Sequence, residues 1–137
     1  MKPGIDYVGV GIGVMIVQNG KVLMQRREGS HGAGTWALPG GHLELNETFE
    51  NCAKREASEE IGVKICPKEI ISVSNNIAHE RHYVTIGVLA DIAEGEPKIM
   101  EPDKCVELKW FALDNLPENL FHASARVIAH YKGEPLG

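Results

Sequence analysis

A chain of 137 residues, 43% hydrophobic and 24% charged, is sized and balanced for one folded domain over residues 1–137. That balance excludes intrinsic disorder and a fibrous repeat, and a domain of this size needs no disulfide staples. The net charge of −5 argues against a nucleic-acid polymer as partner, since such partners call for a basic stripe.

Residues 8–14 alternate glycine with large apolar side chains, residues 15–17 continue apolar, and residues 21–25 are mostly apolar. Asn19-Gly20 lies between them, which predicts a hairpin. The glycines leave one strand face nearly bare. Such a face either admits a ligand or another backbone, or marks a bend or tight packing. This apolar run is too short to span a bilayer, and the start lacks the basic region of a signal peptide, so no membrane is expected. Residues 29–41 hold five glycines and one proline and read as a loop. Residues 48–61 give the strongest helix, with Thr48 as cap and Gly62 as stop. Residues 70–73, 82–90 and 106–111 read as strands. Pro117 opens a last segment in which Leu120, Phe121, Ala123, Val127, Ile128 and Tyr131 fall at helical spacing. Strands around one central helix, with a second helix at the end, make an α/β or α+β sandwich.

The three cysteines, Cys52, Cys66 and Cys105, are odd in number and contain no CxxC pair. Neither a zinc ribbon nor a disulfide framework is expected, and a reducing cytoplasm is. His31, His42, His79, His82, His122 and His130 show no HxxxH spacing for zinc, and no GxSxG elbow supports a nucleophilic serine.

The central helix carries the chemistry. At about 100° per residue, Phe49, Cys52, Ala53 and Ala57 share one arc. Glu56 and Glu60 fall inside that arc and Glu59 at its border, while Asn51, Lys54 and Ser58 lie opposite. Inward carboxylates are costly unless something positive meets them, and hard divalent cations suit clustered carboxylate oxygens. The bland alternative is a rotated surface helix with Arg55 paired to Glu59.

The residues Gly41, Glu47, Arg55, Glu56, Glu59, Glu60 and Gly62 stand at the spacing GX5EX7REUXEEXGU, U being a bulky apolar residue. This resembles the NUDIX hydrolase signature. The one soft departure is Ala57, small at the first U position. Residues 9–13, 38–60, 82–86, 96–105 and 116–121 extend the resemblance to the MutT-type nucleotide-pool branch.

The resemblance implies a mixed, curved β-sheet sandwiched between α-helices. It implies hydrolysis of a nucleoside diphosphate linked to another group, assisted by Mg²⁺ or Mn²⁺. The small-molecule substrate it points to is a nucleoside triphosphate, purine or modified guanine, cut to the monophosphate and pyrophosphate. Isoprenyl diphosphate and ADP-ribose are the alternative substrates, and a silent nucleotide sensor is the non-enzyme alternative. In this reading Glu59, Glu60 and the Gly41 carbonyl hold metal, and Glu56 is a further ligand or the general base. Glu101 from a later loop adds an acidic ligand, with Glu107 as second choice. Arg55 orients a glutamate, and Glu47 is its partner in a structural clamp. Arg27 and Gly40 contact substrate. Leu38 and Phe121 sandwich the base, with Thr85 as a lesser pocket residue; core packing is the other reading for Leu38 and Phe121. A homodimer, with the N-terminal strand as contact, is also implied.

Overall fold

Asn19 and Gly20 both take positive φ, 52° and 74°. They join β1 (Gly9–Gln18) to β2 (Lys21–Arg27), the hairpin the sequence predicts. The computed structural model describes residues 1–29 and 32–134; His31 lies outside the described residues. β1 runs through the centre of a mixed seven-stranded sheet of order β3-β2-β1-β6-β5, where β3 is Trp36–Ala37, β5 is Lys64–Ala78 and β6 is Arg81–Glu94. It pairs in parallel with β6, from Gly9 opposite Tyr83 to Ile16 opposite Ala90. Two further strands branch from this path: β4 (Gly40–His42) pairs with β1, and β7 (Cys105–Ala112) pairs with β2.

Helix α1 (Phe49–Ile61) starts where Thr48 accepts a hydrogen bond from the Asn51 amide and ends at Gly62 in the left-handed conformation. Its Cys52, Ala53, Ala57 and Ile61 pack on Ile12, Val14 and Ile16 from one face of the sheet. Helix α2 (His122–Tyr131) covers the other face, where Val127 and Ile128 meet Met15, Val22, Met24 and Leu38. The sheet therefore lies between two helices, as expected. Among the described residues no helix is long and apolar enough to cross a membrane.

Three local expectations are corrected. The glycine-rich stretch 29–41 is not all loop, because β3 and β4 lie in its second half. A Cβ on Gly40 would sit 1.9 Å from the Ile12 carbonyl oxygen, so glycine there is what lets β4 reach β1. The strand expected at 70–73 is fifteen residues long. Its pattern is inverted: Ser72, Ser74 and Asn76 are buried, while Val73 and Ile77 are 59% and 68% exposed. A search for an apolar inner row stops short on such a strand. The last helix begins at His122, not at Pro117, because Trp36 holds Leu120 and Phe121 extended: Phe121 donates its amide to the Trp36 carbonyl at 2.7 Å. β1 is bonded on both sides, and β5 ends the sheet.

Candidate functional site

The helix projection holds in three dimensions. Glu56 is buried at 8% exposure among the alanines of α1, Glu60 is half-buried and Glu59 is exposed. Glu60 accepts from the Gln25 side chain at 2.5 Å and from the Gly40 amide at 3.3 Å. Burial, reinforced by the neighbouring Glu56 carboxyl, holds the Glu60 carboxyl well above the usual carboxylate range. Two acidic groups crowded at a half-buried position call for a cation.

Arg55 organises the helix edge next to Glu56. Its Nε and Nη2 donate to the two oxygens of Glu47 at 2.7 and 3.1 Å, a bidentate pair. Its Nη1 donates to Glu56 at 2.7 Å, and its Nη2 to the His42 carbonyl at 3.0 Å. The expected clamp is therefore present, and it ties the β4–α1 loop to the helix. The Arg55 guanidinium holds the Glu47 carboxyl down to about 2. Burial, with Glu47 alongside, pushes the Cys52 thiol up to about 12, which leaves it unreactive.

Gly41 sits against this group. A Cβ there would lie 2.5 Å from the Glu56 carboxyl atoms, so only glycine allows the loop backbone to approach the carboxylate. The site opens into a cavity of ≈ 760 Å³. Arg27, Leu38, Gly40, Gly41, Arg55, Glu56, Glu59, Glu60, Thr85, Glu101 and Phe121 all line it. Eleven of the twelve sequence-predicted residues thus meet around one space, with Glu47 gripping Arg55. Glu101 comes from the loop after β6, which the Glu60 carbonyl fixes by accepting the Met100 amide at 3.2 Å. Glu107 is exposed on β7, opposite Arg26.

The bare face of β1 is part packed and part open. Gly9 is packed, since a Cβ there would strike the Tyr83 ring at 2.4 Å. Gly11 and Gly13 instead form open floor in the cavity. Arg27 and Phe121, given separate jobs by the sequence, are stacked: the guanidinium lies 4.3 Å from the ring centroid. Burial lowers the Arg27 pKa, against the pull of Glu60. Leu38 is both core and wall; its amide is held by the Ser124 hydroxyl at 3.0 Å.

Sequence reasoning missed Gln25, Ser124 and Asn76. The inward row Ser72, Ser74, Asn76 was the signal for the last; nothing local marks the other two. Among the described residues no three acidic, histidine or cysteine side chains form a ready-made ion cage. The donor set still fits a hard divalent cation, because Glu56, Glu59 and Glu60 share a helix edge beside the Gly41 backbone and the Glu60 proton is held by burial and by the neighbouring Glu56 carboxyl.

Three comparisons agree on the lineage. The NUDIX domain pattern matches residues 8–131. The chain is 32% identical over 117 residues to the ADP-ribose pyrophosphatase of Methanocaldococcus jannaschii, covering 84% of this chain and 68% of that protein. It is 33% identical over 106 residues to the oxidized purine nucleoside triphosphate hydrolase of Danio rerio, covering 76% and 66%. It is 31% identical over 104 residues to the NAD-capped RNA hydrolase NudC of Stutzerimonas stutzeri; these are 76% of this chain but only 37% of that protein's length. A MutT NUDIX hydrolase structure from Burkholderia pseudomallei superposes with a TM-score of 0.86 at 36% identity, over 91% of this chain and 98% of that one.

Proposed function

The chain belongs to the NUDIX family of pyrophosphate-bond hydrolases, and from that premise we propose that it cuts a purine nucleoside triphosphate, guanine or modified guanine preferred, to the monophosphate and pyrophosphate. The observation that carries this reading is the cavity beside the glutamates. Its floor is bare at Gly11 and Gly13, its walls include apolar Leu38 and Val127, and buried polar Thr85 and Asn76 also line it. A flat ring with polar edges suits such a space. An isoprenyl chain suits it less, because it offers no hydrogen bond to the polar Thr85 and Asn76 side chains that line the space. ADP-ribose is the second reading, favoured by the Methanocaldococcus jannaschii relative.

NUDIX hydrolases generally use divalent metal ions, and here Mg²⁺ or Mn²⁺ would be held by Glu56, Glu59, Glu60 and the Gly41 carbonyl, with Glu101 from the later loop. When bound, the cation neutralises the diphosphate and acidifies water. Arg27 binds a phosphate oxygen from beside Phe121. Glu56, aimed by Arg55, takes the proton of the attacking water. Arg55 acts through Glu56 and Glu47 as a positioning residue. The three free cysteines agree with a reducing cytoplasm as its place of work.

The test is a panel with Mg²⁺, products read by mass: the four canonical deoxynucleoside triphosphates, 8-oxo-dGTP, ADP-ribose and geranyl diphosphate. Pyrophosphate with a purine monophosphate is the expected result. Equal turnover of all four canonical substrates with none of 8-oxo-dGTP overturns it.

A further inference from the structure

Leu23 and Gln25 stand two residues apart on β2, so their side chains share one face of the sheet. Leu23 is buried in the core that α1 covers. The next position along that row holds an amide in place of another apolar group. Gln25 donates its Nε2 to Glu60 Oε1 at 2.5 Å, and the Gly40 amide donates to the same oxygen at 3.3 Å. Both bonds end on one oxygen of the carboxyl; Oε2 takes neither. A carboxylate oxygen has two lone-pair sites, so these two donors fill Oε1.

Both donors sit on rigid elements. Gly40 is paired with Gly13, where a Cβ would already strike the Ile12 carbonyl oxygen. Gln25 is paired with Ala37 of β3 on one side and Leu108 of β7 on the other. Both donors are also neutral. A lysine at position 25 would cancel the charge of Glu60 and repel a cation, whereas an amide fixes the carboxyl and leaves that charge for the ion. An ionised carboxylate only accepts, so the amide presents its nitrogen to it.

This occupancy bears on which ion the site takes. Ca²⁺ takes about six to eight oxygens and accepts both oxygens of one carboxylate, whereas Mg²⁺ demands near-octahedral geometry, which the narrow bite of a two-oxygen carboxylate distorts. We propose that Gln25 is a positioning residue that sets the cation preference of the glutamate site: with Oε1 occupied, Glu60 offers one oxygen, which suits Mg²⁺ or Mn²⁺ and handicaps Ca²⁺. This rests on the metal reading above and names what within it selects the ion.

The experiment titrates Mg²⁺ and Ca²⁺ calorimetrically into substrate-free wild type and Gln25→Met. Methionine keeps the length of the side chain and removes the donor, so Oε1 regains a lone pair. The ratio of Mg²⁺ to Ca²⁺ affinity is expected to fall at least about tenfold in the variant, as when a metal ligand loses its supporting partner. Loss of a merely structural contact would lower Tm in chelator and leave that ratio where it was. Gln25→Leu serves the same comparison if methionine does not fold. A folded variant with the ratio unchanged overturns the assignment, and so does a wild type that prefers Ca²⁺. A wild type that binds neither ion, or a Glu60→Gln variant that binds Mg²⁺ equally well, overturns the metal reading together with this inference.

Discussion

Glu60 is held in a conflict that its sequence neighbours already announce. The carboxyl is half-buried, beside Glu56, and keeps its proton to higher pH than in the unfolded chain. Folding therefore favours the protonated form. In metal-free buffer that contribution is intact below the ordinary value of 4.5 and is lost as pH rises through the higher folded value. Glu60→Gln removes the cost. Its expected Tm in metal-free buffer exceeds that of the wild type, by a margin that widens as pH climbs above about 4.5. Its turnover is expected to fall at least about hundredfold, as for loss of a group that binds or tunes a metal. Melting curves from pH 5 to 9 and initial rates with Mg²⁺ check both halves. A variant that melts lower and turns over normally contradicts the assignment. This conflict was legible before any coordinates, because α-helical geometry is local and a 3.6-residue period puts Glu60 beside Ala53. What was not legible is Gln25, whose side chain reaches Glu60 from a strand 35 residues away.

The loop from β4 to α1 makes its own turn, the Glu47 amide donating to the Glu44 carbonyl at 3.1 Å, and the Arg55 clamp fastens that turn to the helix. Glu47 is ionised far below the ordinary carboxylate range, held to about 2 by Arg55. The clamp's contribution is thus present above about 4.5 and is lost as pH falls towards 2. The difference in urea midpoint between wild type and Glu47→Gln is expected to be constant above pH 5 and to vanish near pH 2. A difference that persists at pH 2 contradicts the ion-pair account. Legibility at this scale depended on whether an element carries its own signals. Helix α1 has a cap, a stop and a period, and its expected bounds lie within one residue of the observed ones. Strand β5 has alternation with the wrong sign, so only a fragment of it was found. The start of α2 is set by Trp36, a distant strand residue, and proline spacing could not reveal that.

Across the whole molecule, the sheet gathers residues from both halves of the chain around one cavity. α1 brings the acids, β1 the floor, β6 Thr85, and the N-terminal end of α2 the wall. The sequence identified most of these residues, but through a family pattern; composition and spacing alone do not say that Leu38 and Glu101 share a space. A cation that binds only this folded arrangement stabilises all of it. At a hundredfold excess over Kd, Mg²⁺ is expected to add about 2.7 kcal/mol, on the order of 8 °C in Tm. Titrating Mg²⁺ in a thermal shift series tests this, with Glu60→Gln as the control in which the shift shrinks. An equal shift in both proteins places the cation elsewhere.

The two adjacent glycines of β4 face different judges. Gly40 is refused a side chain by the backbone of Ile12, and Gly41 by the carboxyl of Glu56. A replacement at the first position obstructs the sheet itself, so its penalty falls on how much protein survives in a cell. A replacement at the second presses only on a side chain of the reacting centre, so its penalty falls on what the surviving protein can do. One dipeptide would then be kept by two unrelated selections.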